Sequence, residues 1–216
     1  KDMDRKHIGL LGHSEGGIIA PLVAAQNDRV AFMILLAAPI IDLYDLLLAQ
    51  DSLVAKASGS KRKEIDDLIR TNQHLFGILR SVPDTNESKQ QVIQYLDSTG
   101  ASDAVIEYTL KQLCTPWMQW YANYRPQETL LQSNCPVLAL YGGKDIQVPF
   151  AINKPTMDSL LSERKNDKSR CETLDGLNHL FQPCKSCSIS EYVSLTTTMD
   201  PAALSEISRW MTELIP

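Results

Sequence analysis

The stretch HIGLLGHSEGG, residues 7–17, decides the fold class of this chain. An apolar segment that suits a short strand runs into a G-x-S-x-G pattern, and small residues that suit a helix follow it. Gly12 and Gly16 allow the strand and the helix to approach closely while Ser14 adopts a strained backbone conformation. The pattern therefore predicts a sharp strand-to-helix turn that exposes one serine.

Two other apolar stretches predict strands that are buried on both faces of a parallel sheet: VAFMILLAAP at 30–39 and CPVLALYGG at 135–143. The shorter and more polar stretch SRCETLDG, at 169–176, suits a strand near the sheet edge. Helical patterns alternate with these strands, which indicates an α/β fold with helices on both faces of the sheet. We expect about four parallel strands in chain order, the first of them at an edge, at 7–12, 31–38, 136–142 and 169–174.

Residues 42–133 break this alternation, because apolar residues recur there at helical spacing without a strand pattern. We interpret this segment as a helical lid or cap inserted between two strands of the sheet. The chain is thereby divided into three parts. Residues 1–41 are the part of the core that carries the strand-to-helix turn with Ser14, the nucleophile elbow. Residues 42–133 are the insertion, and residues 134–216 are the C-terminal part of the core, which carries the remaining site residues.

The turn raises the question of which residues activate its serine. A serine hydroxyl is a weak nucleophile, so acyl transfer needs a histidine base that a carboxylate orients. In a parallel sheet these partners follow Ser14 in the order acid, histidine, each at the carboxyl end of a strand. His179 follows the last predicted strand, and Asp145 follows the strand before it. The competing acids are Asp42, after the second strand, and Asp175, four residues before the histidine.

Three motifs, GHSEGG, CPVLALYGGKDIQVP and LDGLNHLFQ, together resemble the α/β-hydrolase superfamily, specifically its bacterial serine hydrolases of the esterase, acyl hydrolase and serine-aminopeptidase-like kinds. The closing stretch EYVSLTTTMDPAALSEISRWM is also similar to that group, whereas the insertion resembles it weakly. The resemblance implies that Ser14 is the nucleophile, Asp145 the acid and His179 the base. It also implies that the backbone N–H of Glu15 is one oxyanion donor.

In that superfamily the elbow follows the fifth of eight main strands, whereas here it lies near residue 14. The resemblance therefore implies a partial fold, the C-terminal half of a longer hydrolase, without the loop that usually supplies the second oxyanion N–H. One missing donor costs on the order of 10²–10³ in rate, so we expect this chain alone to be weakly active or inactive. The first strand would be an unpaired edge, open to pairing with another copy or with the missing half.

The aromatic stretch TPWMQWYANY in the insertion contains candidates for an acyl pocket. Trp117, Trp120 and Tyr121 would line such a pocket, and packing between the insertion and the sheet is an equally good explanation. The predicted function is cleavage of an ester or thioester of a small acyl compound through a serine acyl-enzyme. The alternatives are an aminopeptidase-like peptidase, whose amine would bind acidic residues such as Asp45 and Asp51, and a catalytically silent hydrolase-fold module used for binding.

Composition argues against several other classes of protein. The 216 residues carry a formal net charge of −5 with scattered charges, which is a poor match for nucleic acid. The longest apolar run, 30–39, is too short to cross a bilayer. We expect no cofactor and no metal, because the predicted chemistry needs none and no metal-binding motif is evident.

The cysteines and the first residue leave two points open. Cys184 and Cys187 form a C-x-x-C pattern in a polar loop, which suits two loop thiols or a local disulfide better than a redox or metal site. The chain begins at Lys1 without an initiator methionine, so a cytoplasmic and an exported location both remain open.

Overall fold

The computed structural model describes residues 4, 6–164 and 166–215. In this part of the chain, one parallel sheet has its strands in the order β1-β2-β3-β4. The predicted parallel sheet, the chain order of its strands and the edge position of the first strand are confirmed. The strands are β1 (Leu10–His13), β2 (Met33–Leu36), β3 (Val137–Gly142) and β4 (Arg170–Leu174).

β1 is shorter than predicted. The sequence pattern placed its start at residue 7, whereas the strand begins at Leu10. The reason is a turn before it, in which the His7 N–H donates to the Asp4 carbonyl at 3.1 Å. Ile8 still accepts a hydrogen bond from the Ala31 N–H at 2.9 Å, so the chain runs beside its neighbour before regular pairing starts.

Helices alternate with the strands, and a long helical segment separates β2 from β3. The helices next to the strands are α1 (Gly16–Ala24), α8 (Phe150–Glu163) and α9 (Pro201–Leu214), with a 3₁₀ turn at Ile189–Ser194. The helices between β2 and β3 are α2 (Leu43–Ala57), α3 (Arg62–Ser81), α4 (Thr85–Ser98), α5 (Asp103–Leu113), α6 (Pro116–Tyr121) and α7 (Pro126–Gln132).

The main apolar core surrounds β2 and β3. Every residue of both strands is buried, as expected for central strands that have helices on both faces. α9 closes one side of this core with Trp210, whose ring lies edge-on to Phe32 with centroids 5.9 Å apart. The Trp210 Nε1–H donates to the Lys168 carbonyl at 2.8 Å, so the buried indole has a hydrogen-bond partner.

The helices between β2 and β3 have an apolar core of their own. It is formed by residues of α3, α4 and α5 and includes the fully buried Leu79 and Val92. A smaller cluster, with Ile18, Leu43 and Tyr121 at its centre, joins these helices to α1. Our interpretation of this segment as a lid is compatible with a separate core that meets the sheet domain beside the elbow.

β1 and β4 form the two edges of the sheet in the described part of the chain. Among the described residues β1 pairs only with β2, and the Leu11 side chain is 59% exposed. None of the described helices is both long and apolar enough to span a bilayer.

Candidate active site

Ser14 lies at the turn between β1 and α1. Its φ of 54° is in the left-handed region, so the strained backbone predicted for this serine is confirmed. The Ser14 N–H donates to the Leu36 carbonyl of β2, and the Ser14 carbonyl accepts from Gly17, each at 2.8 Å. A side chain on Gly12 would overlap the backbone of Gly16, which explains why the next-to-last residue of β1 must be a glycine.

Glu15 is the N-cap residue of α1, the helix that follows the turn. Its carbonyl accepts from the N–H groups of Ile18 and Ile19 at 2.9 and 3.1 Å. Its own N–H has no acceptor within residues 4, 6–164 and 166–215. An N–H group that is free at the start of a helix is suited to binding an anion.

Asp145 and His179 form a buried pair at the carboxyl ends of β3 and β4. His179 Nδ1 lies 2.8 Å from Asp145 Oδ2, and each residue is 5% exposed. The other carboxylate oxygen accepts from the backbone N–H groups of Gln147 and Val148 at 2.8 and 3.0 Å. Because an ionised carboxylate can only accept, His179 donates from Nδ1, and its Nε2 keeps the lone pair that a base needs.

The backbone around His179 is held by a residue that sequence reasoning missed. Asn178 is fully buried, and its Oδ1 accepts from the N–H groups of Leu180 and Gln182, each at 2.9 Å. Phe181 adopts a φ of 57° within this turn. The turn presents His179 towards Asp145. In the sequence, only the asparagine after the last predicted strand indicates such a turn.

His13 is the second residue to which the sequence assigns no role. Its Nε2 lies 2.8 Å from the His179 carbonyl oxygen, and the centroids of the two imidazole rings are 4.7 Å apart. Burial lowers the pKa of His13, although the hydrogen bond to the carbonyl acts in the opposite direction. The loop of the predicted base therefore contacts the end of β1 directly beside Ser14.

Among the described residues, the proposed base and acid are hydrogen-bonded to each other, whereas the proposed nucleophile and base are not. In the described part of the chain, Ser14 Oγ makes no hydrogen bond, with His179 or with any other residue. The structure thus joins Asp145 to His179, and His179 to the residue before Ser14. Nucleophile–base hydrogen bonds are often long in enzymes without substrate.

The competing acids lie elsewhere. Asp42 Oδ2 is 3.3 Å from Arg80 and 3.4 Å from Arg125, so it forms ion pairs with two arginines of residues 42–133. Asp175 is exposed and borders Gly143. Of the three candidate acids, all of them in the described part of the chain, Asp145 is the one whose carboxylate contacts the ring of His179.

The aromatic candidates separate into two groups. Tyr121 is 8% exposed and packs against Ile18 of α1, and burial together with the Glu15 charge raises its pKa. Trp117 and Trp120 are 38% and 40% exposed, with ring centroids 4.8 Å apart. Tyr121 is therefore adjacent to the elbow, whereas the two tryptophans form a more exposed, tilted pair beside it.

Residues that bind metals are not clustered in the described part of the chain: no group of three or more His, Cys, Asp or Glu is arranged to hold an ion. Cys184 and Cys187 form a disulfide, which is one of the two arrangements that the sequence left open. Cys114, Cys135 and Cys171 are free thiols.

Comparison with known proteins identifies no family model and no curated protein that match this chain. The solved structures that it is similar to include three hydrolases. An esterase from Pyrococcus furiosus is 11% identical with a TM-score of 0.49, over 98% of this chain and 55% of that one. A meta-cleavage product hydrolase from Pseudomonas fluorescens is 14% identical with a TM-score of 0.47, over 97% and 66%. A puromycin-hydrolyzing peptidase from Mycobacterium tuberculosis is 18% identical with a TM-score of 0.44, over 82% and 19%.

The chain spans between about a fifth and two thirds of the length of these proteins. Because the likeness is low, the fold is assigned from the features of this chain itself. These are the parallel strand order, the left-handed serine at the strand-to-helix turn, and the acid and histidine loops after the last two strands. Together these features are those of a partial α/β-hydrolase fold.

Proposed function

We propose that this chain is a serine hydrolase that cleaves an ester or thioester through an acyl-enzyme on Ser14. One observation carries the proposal: the buried Asp145–His179 pair, 2.8 Å apart, whose ring lies against the residue that precedes Ser14. A buried carboxylate is costly unless it is fully hydrogen-bonded. Here the hydrogen bonds from His179, Gln147 and Val148 offset that cost. The Asp145 carboxylate thereby lies where its charge would stabilise a protonated His179.

In the proposed reaction, Ser14 Oγ attacks the acyl carbonyl carbon while His179 Nε2 accepts the hydroxyl proton. Asp145 stabilises the imidazolium that forms. His179 then returns the proton to the leaving alcohol or thiol as the bond from the acyl carbon to the leaving oxygen or sulfur breaks, which leaves the acyl group on the serine. A water molecule, deprotonated by the same histidine, then attacks this ester. As the bond from the acyl carbon to Ser14 Oγ breaks, His179 returns the proton to Oγ, which releases the acid and regenerates Ser14.

The oxyanion of the tetrahedral intermediate would accept a hydrogen bond from the free N–H of Glu15. The partial positive charge at the start of α1 favours the same negative charge. Two features of the turn, its left-handed serine and the helix that follows at once, thus contribute to one step of the chemistry.

The acyl group of the substrate would contact Tyr121, which is buried beside Ile18 and Glu15. The exposed Trp117 and Trp120 would extend this wall towards solvent. A small acyl compound is therefore the substrate class that we propose.

A fluorophosphonate probe tests the proposal, because it reacts with activated serines. We expect one adduct per chain, on the peptide that contains Ser14, and none in Ser14→Ala. Ser98→Ala, which removes an exposed hydroxyl at the end of α4, is the matched control and should label like the wild type. Because a missing oxyanion donor slows the reaction, the outcome that would overturn the proposal is a folded wild-type chain that gives no adduct on Ser14 after prolonged incubation with excess probe.

A catalytically silent module is the second candidate, and the observation in its favour is that Ser14 Oγ makes no hydrogen bond to His179 in the described residues. The same labelling experiment separates the two, because a silent module leaves Ser14 unmodified. The peptidase alternative gains no comparable support: Asp51, one proposed amine ligand, accepts a hydrogen bond from Asn72 at 2.7 Å.

A further inference from the structure

His13, the residue before the proposed nucleophile, is hydrogen-bonded to the backbone of the proposed base. Its Nε2 is 2.8 Å from the His179 carbonyl oxygen, across 166 positions of sequence. A carbonyl oxygen can only accept, so the hydrogen is on His13 Nε2. The ring also lies 4.7 Å from the His179 ring and edge-on to Phe181 at 6.5 Å.

The other hydrogen bonds of the His179 loop reach other parts of the molecule. The Lys144 N–H donates to the Leu177 carbonyl, which joins the loop to the acid loop. The Asp200 N–H donates to the Phe181 carbonyl, and Gln182 donates to Thr197. In the described part of residues 177–182, the bond from His13 is the one that reaches the elbow.

Two things set the position of a catalytic imidazole relative to its serine: the orientation of the ring and the distance of its backbone from the serine. Asp145 fixes the ring through Nδ1, but it does not fix how far the backbone carrying that ring lies from Ser14. His13 is the covalent neighbour of Ser14, and the Ser14 N–H is itself anchored to Leu36 of β2. A hydrogen bond from His13 to the His179 carbonyl therefore fixes that second distance.

We propose that His13 is a positioning residue, whose hydrogen bond to the His179 carbonyl sets the separation of base and nucleophile. This inference rests on the proposed serine hydrolase function. His13 touches neither the acyl group nor the reacting atoms, and it acts through the backbone of His179. A ring that only filled space would be replaceable by any apolar group of similar size.

The variants His13→Phe and His13→Gln separate these two roles. Phenylalanine keeps the ring contacts with His179 and Phe181 and removes the donor, whereas the glutamine side-chain N–H₂ reaches about as far as His13 Nε2 and keeps the donor. We expect His13→Phe to lower kcat and the rate constant of fluorophosphonate labelling about 10- to 100-fold with little change in KM, because small displacements of a catalytic group cost this much. His13→Gln should recover most of the loss.

His74→Leu is the control variant, because His74 stacks on Tyr95 within the helical segment, with ring centroids 3.9 Å apart. It should leave both rates unchanged. Equal rates in wild type and His13→Phe would overturn the positioning role, and so would a His13→Gln variant as slow as His13→Phe. If His13→Phe does not fold, His13→Leu replaces it as the variant without a donor, with the same expected outcomes.

A second readout does not depend on activity and keeps the two proposals apart. The proton on His179 Nδ1 that is bonded to Asp145 should give a resolved downfield NMR resonance in the wild type. We expect it to broaden or shift in His13→Phe and to be retained in His13→Gln. A wild type that resists the probe but shows this pattern would refute the hydrolase proposal alone. If the wild type labels but the resonance is unchanged in His13→Phe, the positioning role alone would be refuted.

Discussion

At the scale of single residues, Asp145 has the most constrained environment in the site. Its carboxylate accepts hydrogen bonds from His179, Gln147 and Val148, and its side chain is fully shielded from solvent. These donors compensate for taking a charge out of water. In the proposed mechanism the geometry of the carboxylate orients the His179 ring, and its charge stabilises the imidazolium.

Asp145→Asn should lower kcat about 10³- to 10⁴-fold, because the amide can donate to His179 Nδ1 and thus favour the wrong tautomer. Steady-state kinetics with an acyl ester measure the change. Asp175→Asn, which alters an exposed acid in the neighbouring loop, is the control and should retain full activity. If both variants behave alike, Asp145 does not orient the base.

Burial of His13 predicts a dependence of stability on pH. Its pKa is lowered in the folded protein, mainly by desolvation, whereas the hydrogen bond to the His179 carbonyl and the Asp145 charge act in the opposite direction. The contribution is therefore present above the unfolded pKa of about 6.5 and is lost as the pH falls through the folded pKa. Thermal midpoints of His13→Phe should fall less between pH 7 and pH 5 than those of the wild type. Parallel pH profiles of the two proteins would contradict this.

The residues at this scale also differ in how readily the sequence reveals them. Ser14, Asp145 and His179 could be proposed because each follows a strand, and local patterns indicate strands. The contact of His13 with His179 joins positions 166 residues apart, and nothing local marks it. Asn178 acts on the backbone of its own turn, where an asparagine has many equally good explanations.

At the scale of elements, the loop after β4 is closed by the disulfide between Cys184 and Cys187. The loop contacts the acid loop, because Lys144 Nζ donates to the Cys184 carbonyl at 3.4 Å. Glu191 accepts from the N–H groups of Lys185 and Cys187, and its pKa is lowered to about 2, first by its hydrogen bond from Ser186. The loop is thus held by a covalent bond and a carboxylate together.

A disulfide that closes so short a loop removes less conformational entropy from the unfolded chain than one that closes a long loop. By the chain-entropy relation, replacing Cys184 and Cys187 by serine should lower the free energy of unfolding by about 2 kcal/mol. Denaturant titration measures the difference, and wild type under a reducing agent should match the double variant. Equal stability of oxidised and reduced wild type would show that the bond does not constrain the unfolded chain.

The strands were more predictable than the helices. Continuous apolar runs identified β2 and β3, because strands buried on both faces leave no polar positions. The ends of α2, α3 and α4 could be predicted, because turn-forming residues at Gly59, 82–86 and 98–103 mark them. The packing of the six helices on each other could not be predicted, since it depends on contacts between distant residues. Their relation to α1 through Ile18 and Tyr121 is likewise a product of tertiary packing.

At the scale of the whole molecule, the described chain exposes an apolar sheet edge. β1 has no second strand partner there, and Ile8, Leu11, Ile19 and Val23 of this region are each 40–59% exposed. Unpaired N–H and C=O groups beside apolar side chains promote pairing with another strand. We predict that the chain self-associates through this face.

Leu11→Lys should weaken that association, because a charge on an edge strand disfavours pairing. Sedimentation velocity over a range of concentrations measures it. Val193→Lys, at a residue that is 94% exposed outside the sheet, is the control. A wild type that sediments as a monomer at every concentration would refute the prediction.

Formation of an acyl-enzyme on Ser14 can be observed by intact and peptide mass spectrometry after a rapid acid quench with an activated short-chain ester. We expect a mass increase of one acyl group on the peptide that contains Ser14. We also expect Ser14→Ala to show neither the adduct nor ester turnover. Turnover that continues unchanged in Ser14→Ala, or an acyl group found on another residue, would rule out Ser14 as the nucleophile.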